Sequence, residues 1–110
     1  MNQERLKKLE SISARIISEF FIEELREVES DFWLINIAQV EISSDLSYLD
    51  IHVSSFQNQD ILTKTLAKYA PEMNRKLHKK LSLRKMPKIR FRYDESWEIS
   101  SEIIGTINNL

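Results

Sequence analysis

Residues 60–93 read DILTKTLAKYAPEMNRKLHKKLSLRKMPKIRFRY, and the fold turns on how this stretch is punctuated. Ile61, Leu62, Leu66 and Tyr69 fall at helical spacing and give one inner face. Pro71 then interrupts. The residue before a proline is pushed out of the helical region, so Ala70 is expected to mark a break or kink. A second helix follows at once, because proline is tolerated in a first turn. In it Met73, Leu77 and Leu81 repeat every four residues. At ~100° per residue, Arg75 and Lys79 point roughly opposite Leu77, with Lys76 and Lys80 on one flank and Asn74 and His78 on the other. Ser82 to Pro87 read as a loop. Residues 88–93 then alternate strictly, Ile89, Phe91 and Tyr93 against Lys88, Arg90 and Arg92. Three cations therefore share one face of one strand, while Phe91 and Tyr93, on the other parity, are expected to be core and not base-stacking platforms.

Toward the N-terminus, residues 48–54 alternate Leu49, Ile51 and Val53 with Tyr48, Asp50, His52 and Ser54, the pattern of a half-buried strand. Ser44-Asp45 is a turn signal, with Asp45 expected to bond the turn backbone. Residues 34–43 form the partner strand of a hairpin. Its parity is mixed, Ile35 and Ile37 in one phase and Ala38, Val40 and Ile42 in the other, which suggests a bulge or burial on both faces near one end. Asn58 is placed to cap the helix that follows by accepting from a backbone N–H. Residues 3–28 read as one amphipathic helix through Leu6, Leu9, Ile12, Ile16 and Phe20, which covers a sheet. Toward the C-terminus, Asp94 or Ser96 begins a last helix carrying Trp97, Ile99, Ile103, Ile104 and Ile107. The order is helix, strand, strand, helix, kink, helix, strand, helix. That is an α+β pattern, a three-stranded sheet with helices packed on one face. Among RNA-binding modules it is the order of a type II KH domain.

The chain has 110 residues with one glycine, two prolines and no cysteine. The length reads as a single domain over 1–110. Without cysteine there are no disulfides, Cys-type zinc sites or thiol nucleophiles. No apolar h-region follows the first residues, and no apolar run approaches a membrane span, so a soluble cytoplasmic protein is expected. The net charge of −1 and the pI near 6.1 conceal a polarised distribution. Residues 1–72 hold 7 basic and 13 acidic side chains, residues 73–93 hold 9 basic and none acidic, and residues 94–110 hold 4 acidic and none basic. A solvated helix face beside a gatekept strand would account for part of this. Nine positives across a helix, a loop and a strand point instead to a phosphate-backbone partner.

Val40-Glu41-Ile42-Ser43-Ser44-Asp45-Leu46, continuing to Ile51-His52-Val53-Ser54, resembles the V-E-x-S-x-D-L hairpin of ribosome-binding factor A. Arg75-Lys76-Leu77 and then residues 83–96, Leu83-Arg84-Lys85-Met86-Pro87-Lys88-Ile89-Arg90-Phe91-Arg92-Tyr93-Asp94-Glu95-Ser96, are similar to that family's R-x-x-L, L-R-x-x-P-x-L-x-F and D-x-S signatures in the same order. The resemblance covers roughly residues 34–110. It implies a cytoplasmic assembly factor that binds the small (30S) ribosomal subunit or its precursor. It further implies help in late maturation and processing of 16S rRNA, importance in the cold, and no catalytic activity. Three stretches depart from the family. The junction that usually reads Ala-x-Gly is Tyr69-Ala70-Pro71, the D-P-R-L stretch is replaced by Asp31-Phe32-Trp33-Leu34, and a basic C-terminal tail is absent from this sequence.

Type II KH domains often clamp nucleotides with a Gly-x-x-Gly loop, which one glycine cannot supply. RNA binding is therefore expected to lean on charge and shape. Arg75, Lys76, Lys79, Lys80, Arg84 and Lys85 are the candidate phosphate contacts, with Lys88, Arg90 and Arg92 as an extension that alternatively protects an exposed sheet face. Six to nine such contacts predict a log–log salt slope on the order of −4 to −8. His52 and His78 have no partner at metal-ligand spacing, and no nucleophile elbow, P-loop or paired-carboxylate site is seen. No catalytic residue, metal or cofactor is expected, and the chain is taken as a monomer. Two other classes compete with ribosome assembly: a protein–protein adaptor whose basic surface meets an acidic partner, and a small RNA-processing enzyme, for which no general base with an oriented partner is visible.

Overall fold

The computed structural model describes residues 2–95. The first helix, α1 (Gln3–Glu24), begins where the Asn2 side chain accepts from the Arg5 backbone N–H at 2.9 Å, a standard N-cap. It buries Ile16, Ile17, Phe20 and Phe21. The single helix expected over residues 3–28 is instead bent at Leu25, after which α2 (Arg26–Asp31) sets off in a new direction. The i, i+4 bonding continues across the bend, from Leu25 to Phe21 and from Glu29 to Leu25. What changes is the Leu25 backbone, at φ −114° and ψ 19°. The bend keeps Leu25 in the core and returns Phe32 to it. Two buried apolar side chains, at about 1.5–3 kcal/mol each, outweigh the lost regularity.

The sheet has three strands in the order β1 (Ile35–Ile42), β2 (Tyr48–Ser55) and β3 (Lys88–Tyr93). β1 and β2 pair antiparallel as the expected hairpin, whereas β2 and β3 pair in parallel. A parallel neighbour requires a crossover. Here a 3₁₀ turn (Gln59–Ile61), α3 (Leu62–Ala67) and α4 (Ala70–Leu81) supply it. The mixed parity of the first strand resolves as a bulge. Ile37 pairs with Val53 and Gln39 with His52, leaving Ala38 unpaired. Beyond it Val40 and Ile42 face the same way as their partners Ile51 and Leu49. Across the parallel pair Leu49, Ile51 and Val53 sit beside Ile89, Phe91 and Tyr93. That face meets Phe20, Leu62, Leu66, Met73 and Leu77 in one core. Tyr48, Asp50, His52, Lys88, Arg90 and Arg92 alternate onto the opposite face.

Two local expectations are corrected. Asn58 does not cap the following helix. Its backbone is left-handed (φ 57°), which asparagine tolerates, and its side-chain N–H donates to the Asp31 carbonyl at 2.8 Å. The kink falls at Lys68 and Tyr69 instead of Ala70, which is already the first residue of α4. Pro71 lies in that helix's first turn, where a missing N–H leaves no bond unmade. The hairpin turn behaves as expected. An Asp45 carboxylate oxygen accepts from the Ser47 N–H at 3.1 Å and from the Ser43 hydroxyl at 2.8 Å. The helix expected after Asp94 lies outside the described residues.

Candidate nucleic-acid interface

Four of the nine candidate cations ride on α4. Met73 and Leu77 are buried and Leu81 is half-buried, so the expected apolar stripe faces the sheet. Arg75 and Lys79 are exposed, and with Phe20, Glu24 and Glu72 they line the open cleft between α4 and α1. On one flank α4 runs antiparallel to α1. Lys76 Nζ lies 3.6 Å from Glu23 and 3.5 Å from Glu24, and 5.2 Å from the centre of the Phe20 ring. Lys80 Nζ lies 3.8 Å from Glu19. On the other flank Asn74 donates to the Pro87 carbonyl at 3.3 Å. Basic residues fill the last turn of α4 and Glu72 its first, the arrangement the helix dipole favours.

The connection from α4 to β3 is held by its ends. Ser82 takes a left-handed conformation (φ 51°) and closes α4 on the His78 carbonyl. Met86 packs against the core, Pro87 is fully buried, and the Lys88 N–H donates to the Ser47 carbonyl at 2.9 Å. Anchored in this way, the connection leaves Arg84 and Lys85 exposed, with Lys88 exposed at its exit.

The row on β3 is differently engaged. Arg90 forks onto Asp50, its direct neighbour across the parallel pair, at 2.7 and 3.0 Å. Its guanidinium carbon lies 3.8 Å from the centre of the Tyr48 ring. Arg92 Nε lies 3.9 Å from the same carboxylate. The hydrogen bonds from Arg90, aided by the positive fields of Arg90 and Arg92, hold the Asp50 carboxyl below its ordinary pKa, and Arg90 is raised in turn by Asp50. The nine cations therefore do not share one plane. The α4 set lies on the helical layer, the β3 row lies on the opposite side of the sheet, and Arg84 and Lys85 sit between them in the chain. Four of the nine have acidic neighbours. Among the described residues, Arg75, Lys79, Arg84, Lys85 and Lys88 have none within 4 Å.

The sequence reading did not foresee the pairing partners. Glu19, Glu23 and Glu24 stand at helical spacing on α1, opposite the Lys76–Lys80 row. An antiparallel helix pair would join them, but nothing in the sequence alone sets α1 beside α4. His52 lies on the outer sheet face with Nε2 3.7 Å from a Glu41 oxygen, too far for a hydrogen bond. His78 is exposed. Among the described residues no group of three or more His, Asp or Glu side chains is arranged to hold a metal ion.

A hairpin, a kinked helical crossover to a parallel third strand, helices on one face and no Gly-x-x-Gly loop define a KH-like α+β domain. Solved structures with the same arrangement agree. A ribosome-binding factor A crystal structure from Thermus thermophilus superposes with a TM-score of 0.66 at 20% identity, over 80% of this chain and 93% of that one. A Thermotoga maritima protein solved by solution NMR gives 0.67 at 26% identity, over 83% and 88%. A Thermus thermophilus ribosome-binding factor A homology model, fitted into the cryo-EM map of a complex with the 30S subunit, gives 0.61 at 21% identity, over 80% and 93%. In sequence, a ribosome-binding factor A of Synechocystis is 28% identical over 96% of this chain and 82% of its own length. One from a Synechococcus strain is 28% identical over 96% and 76%. The family model for ribosome-binding factor A matches residues 5–107. The chain belongs to the ribosome-binding factor A family.

Proposed function

We propose that this protein is a non-catalytic assembly factor that docks on the small ribosomal subunit or its precursor in the cytoplasm. There it assists late maturation and processing of 16S rRNA, acting as a monomer. The observation that carries the chemistry is the set of five cations, Arg75, Lys79, Arg84, Lys85 and Lys88, exposed from α4 into β3 with no carboxylate within 4 Å among the described residues. Such side chains engage phosphates without first breaking an ion pair. Family membership and the Thermus thermophilus relative fitted into a 30S complex support the choice of RNA. Lys76, Lys80, Arg90 and Arg92 add to the positive field, while their carboxylate partners hold them in place. Docking of this kind needs no nucleophile or general base, and its benefit is greatest in the cold, where misfolded RNA helices are slowest to open.

The test is co-sedimentation with small subunits. Joint reversal of Arg75→Glu and Lys79→Glu alters two exposed side chains, so the fold should survive by circular dichroism while subunit binding falls at least tenfold. Undiminished binding would move the docking surface elsewhere. Binding that persists in ribonuclease-treated lysate would favour the adaptor reading.

A further inference from the structure

At the end of the sheet away from the cationic connection, two loops present aromatic side chains to solvent. Trp33 is 75% exposed and Phe56 50% exposed. Their rings meet edge to face with centroids 6.4 Å apart, and Leu34 beside them is 44% exposed. The support is rigid. The Gln57 and Asn58 side chains both donate to the Asp31 carbonyl, at 3.0 and 2.8 Å, and the Gln57 N–H donates to the Phe32 carbonyl at 3.3 Å. Trp33 itself is left-handed (φ 71°) at the position just past α2, where glycine is usual. Of the four non-glycine residues with positive φ, Asn58 is a residue type that tolerates it, Ser82 closes α4, and Leu46 packs against the core. Trp33 closes α2 in a similar way, its N–H donating to the Ser30 carbonyl at 3.3 Å. What a helix end does not require is a large apolar ring held in water, and an exposed aromatic patch is a mark of function.

The surroundings select the partner. The elements bounding this end are acidic: α2 carries Glu27, Glu29 and Asp31 against one cation, Arg26, and Asp60 lies in the turn after Phe56. Among the described residues none of these carboxylates has a cationic side chain within 4 Å. An acidic rim repels RNA phosphates.

We infer that Trp33, flanked by Leu34 and Phe56, anchors a docking surface for a lysine- or arginine-rich protein segment. The idea goes beyond the small-subunit reading and rests on it only for the assay. A photoreactive phenylalanine analogue placed at position 33 of the full chain, bound to purified small subunits and irradiated, should crosslink to a basic protein segment. Separately, Trp33→Gly should keep the melting temperature while lowering subunit affinity about tenfold, the size of a modest interface anchor. Crosslinks to RNA, to residues 96–110 or to a second copy would overturn the inference, as would no crosslink in a complex that still sediments. So would unchanged affinity of Trp33→Gly. Failure of the unmodified chain to sediment with subunits would instead overturn the small-subunit reading.

Discussion

Asp50 shows how one side chain can settle what its neighbours do. Its carboxylate receives both arms of Arg90 and lies near Arg92, so the strand cations are braced across the sheet by their own hairpin. With the Asp50 pKa depressed by Arg90, the stabilisation is full above the unfolded value of about 3.8 and is lost as pH falls below it. Asp45 acts in the same sense. Hydrogen bonds, first from the Ser47 side chain and then from Ser43, hold it at about 2. The unfolding midpoint should therefore be flat from pH 7 to 5 and fall between pH 4 and 2. In Asp45→Asn/Asp50→Asn that fall should shrink, as thermal melts across the range would register, and an unchanged acid profile would count against both contacts. In the core, Leu77 has no solvent exposure, and Leu77→Ala should cost about 2–5 kcal/mol in urea titration.

Among the secondary-structure elements, the α3–α4 junction holds one of the three stretches, Tyr69-Ala70-Pro71, at which the sequence departs from the family pattern it resembles. The family commonly places glycine where this chain has Pro71, yet no residue from 68 to 71 has a positive φ, and Tyr69 turns the chain at φ −96° and ψ −2°. A glycine's special angles are not needed here, and proline restricts the unfolded chain where its missing N–H costs nothing. Pro71→Gly should therefore destabilise the protein by about 1 kcal/mol with helix content unchanged, and a gain in stability would show that the proline is strained. Periodicity and punctuation located the hairpin, the bulge, the kinked helix pair and the third strand, because these follow from local spacing. They misjudged what depends on distant burial. The apolar stripe runs unbroken through Leu25 and Val28, so the bend at Leu25 exists only because Phe32 has a core to return to. Asn58 has the local look of a cap, but its amide serves a carbonyl 27 residues away.

Across the molecule, charge is less segregated than the sequence suggested, because carboxylates of α1 and β2 meet four of the nine cations. The hairpin turn and the exposed connection share one end of the sheet, and Trp33 and Phe56 share the other, about 25 Å away along an eight-residue strand. The cluster of positive charge was legible by counting. Which charges remained available was not, because that depends on α1 lying antiparallel to α4 and on Asp50 pairing in register with Arg90. The distinction is measurable. Each phosphate contact contributes about −0.7 to −0.9 to the log–log dependence of affinity on salt. If the five cations with no carboxylate within 4 Å among the described residues all reach phosphates, the slope is roughly −4, at the shallow end of the range expected from six to nine. Replacing Glu19, Glu23 and Glu24 together with glutamine would release Lys76 and Lys80 from α1. Surface ion pairs of this kind contribute at most about 1 kcal/mol each, so the fold should tolerate the change. If the α4 face lies against RNA, the slope for small-subunit binding should steepen by between about 1 and 2 as the freed lysines reach phosphates. If it does not steepen, that flank of α4 points away from the subunit, and docking runs through Arg84, Lys85 and Lys88 at the end of the sheet.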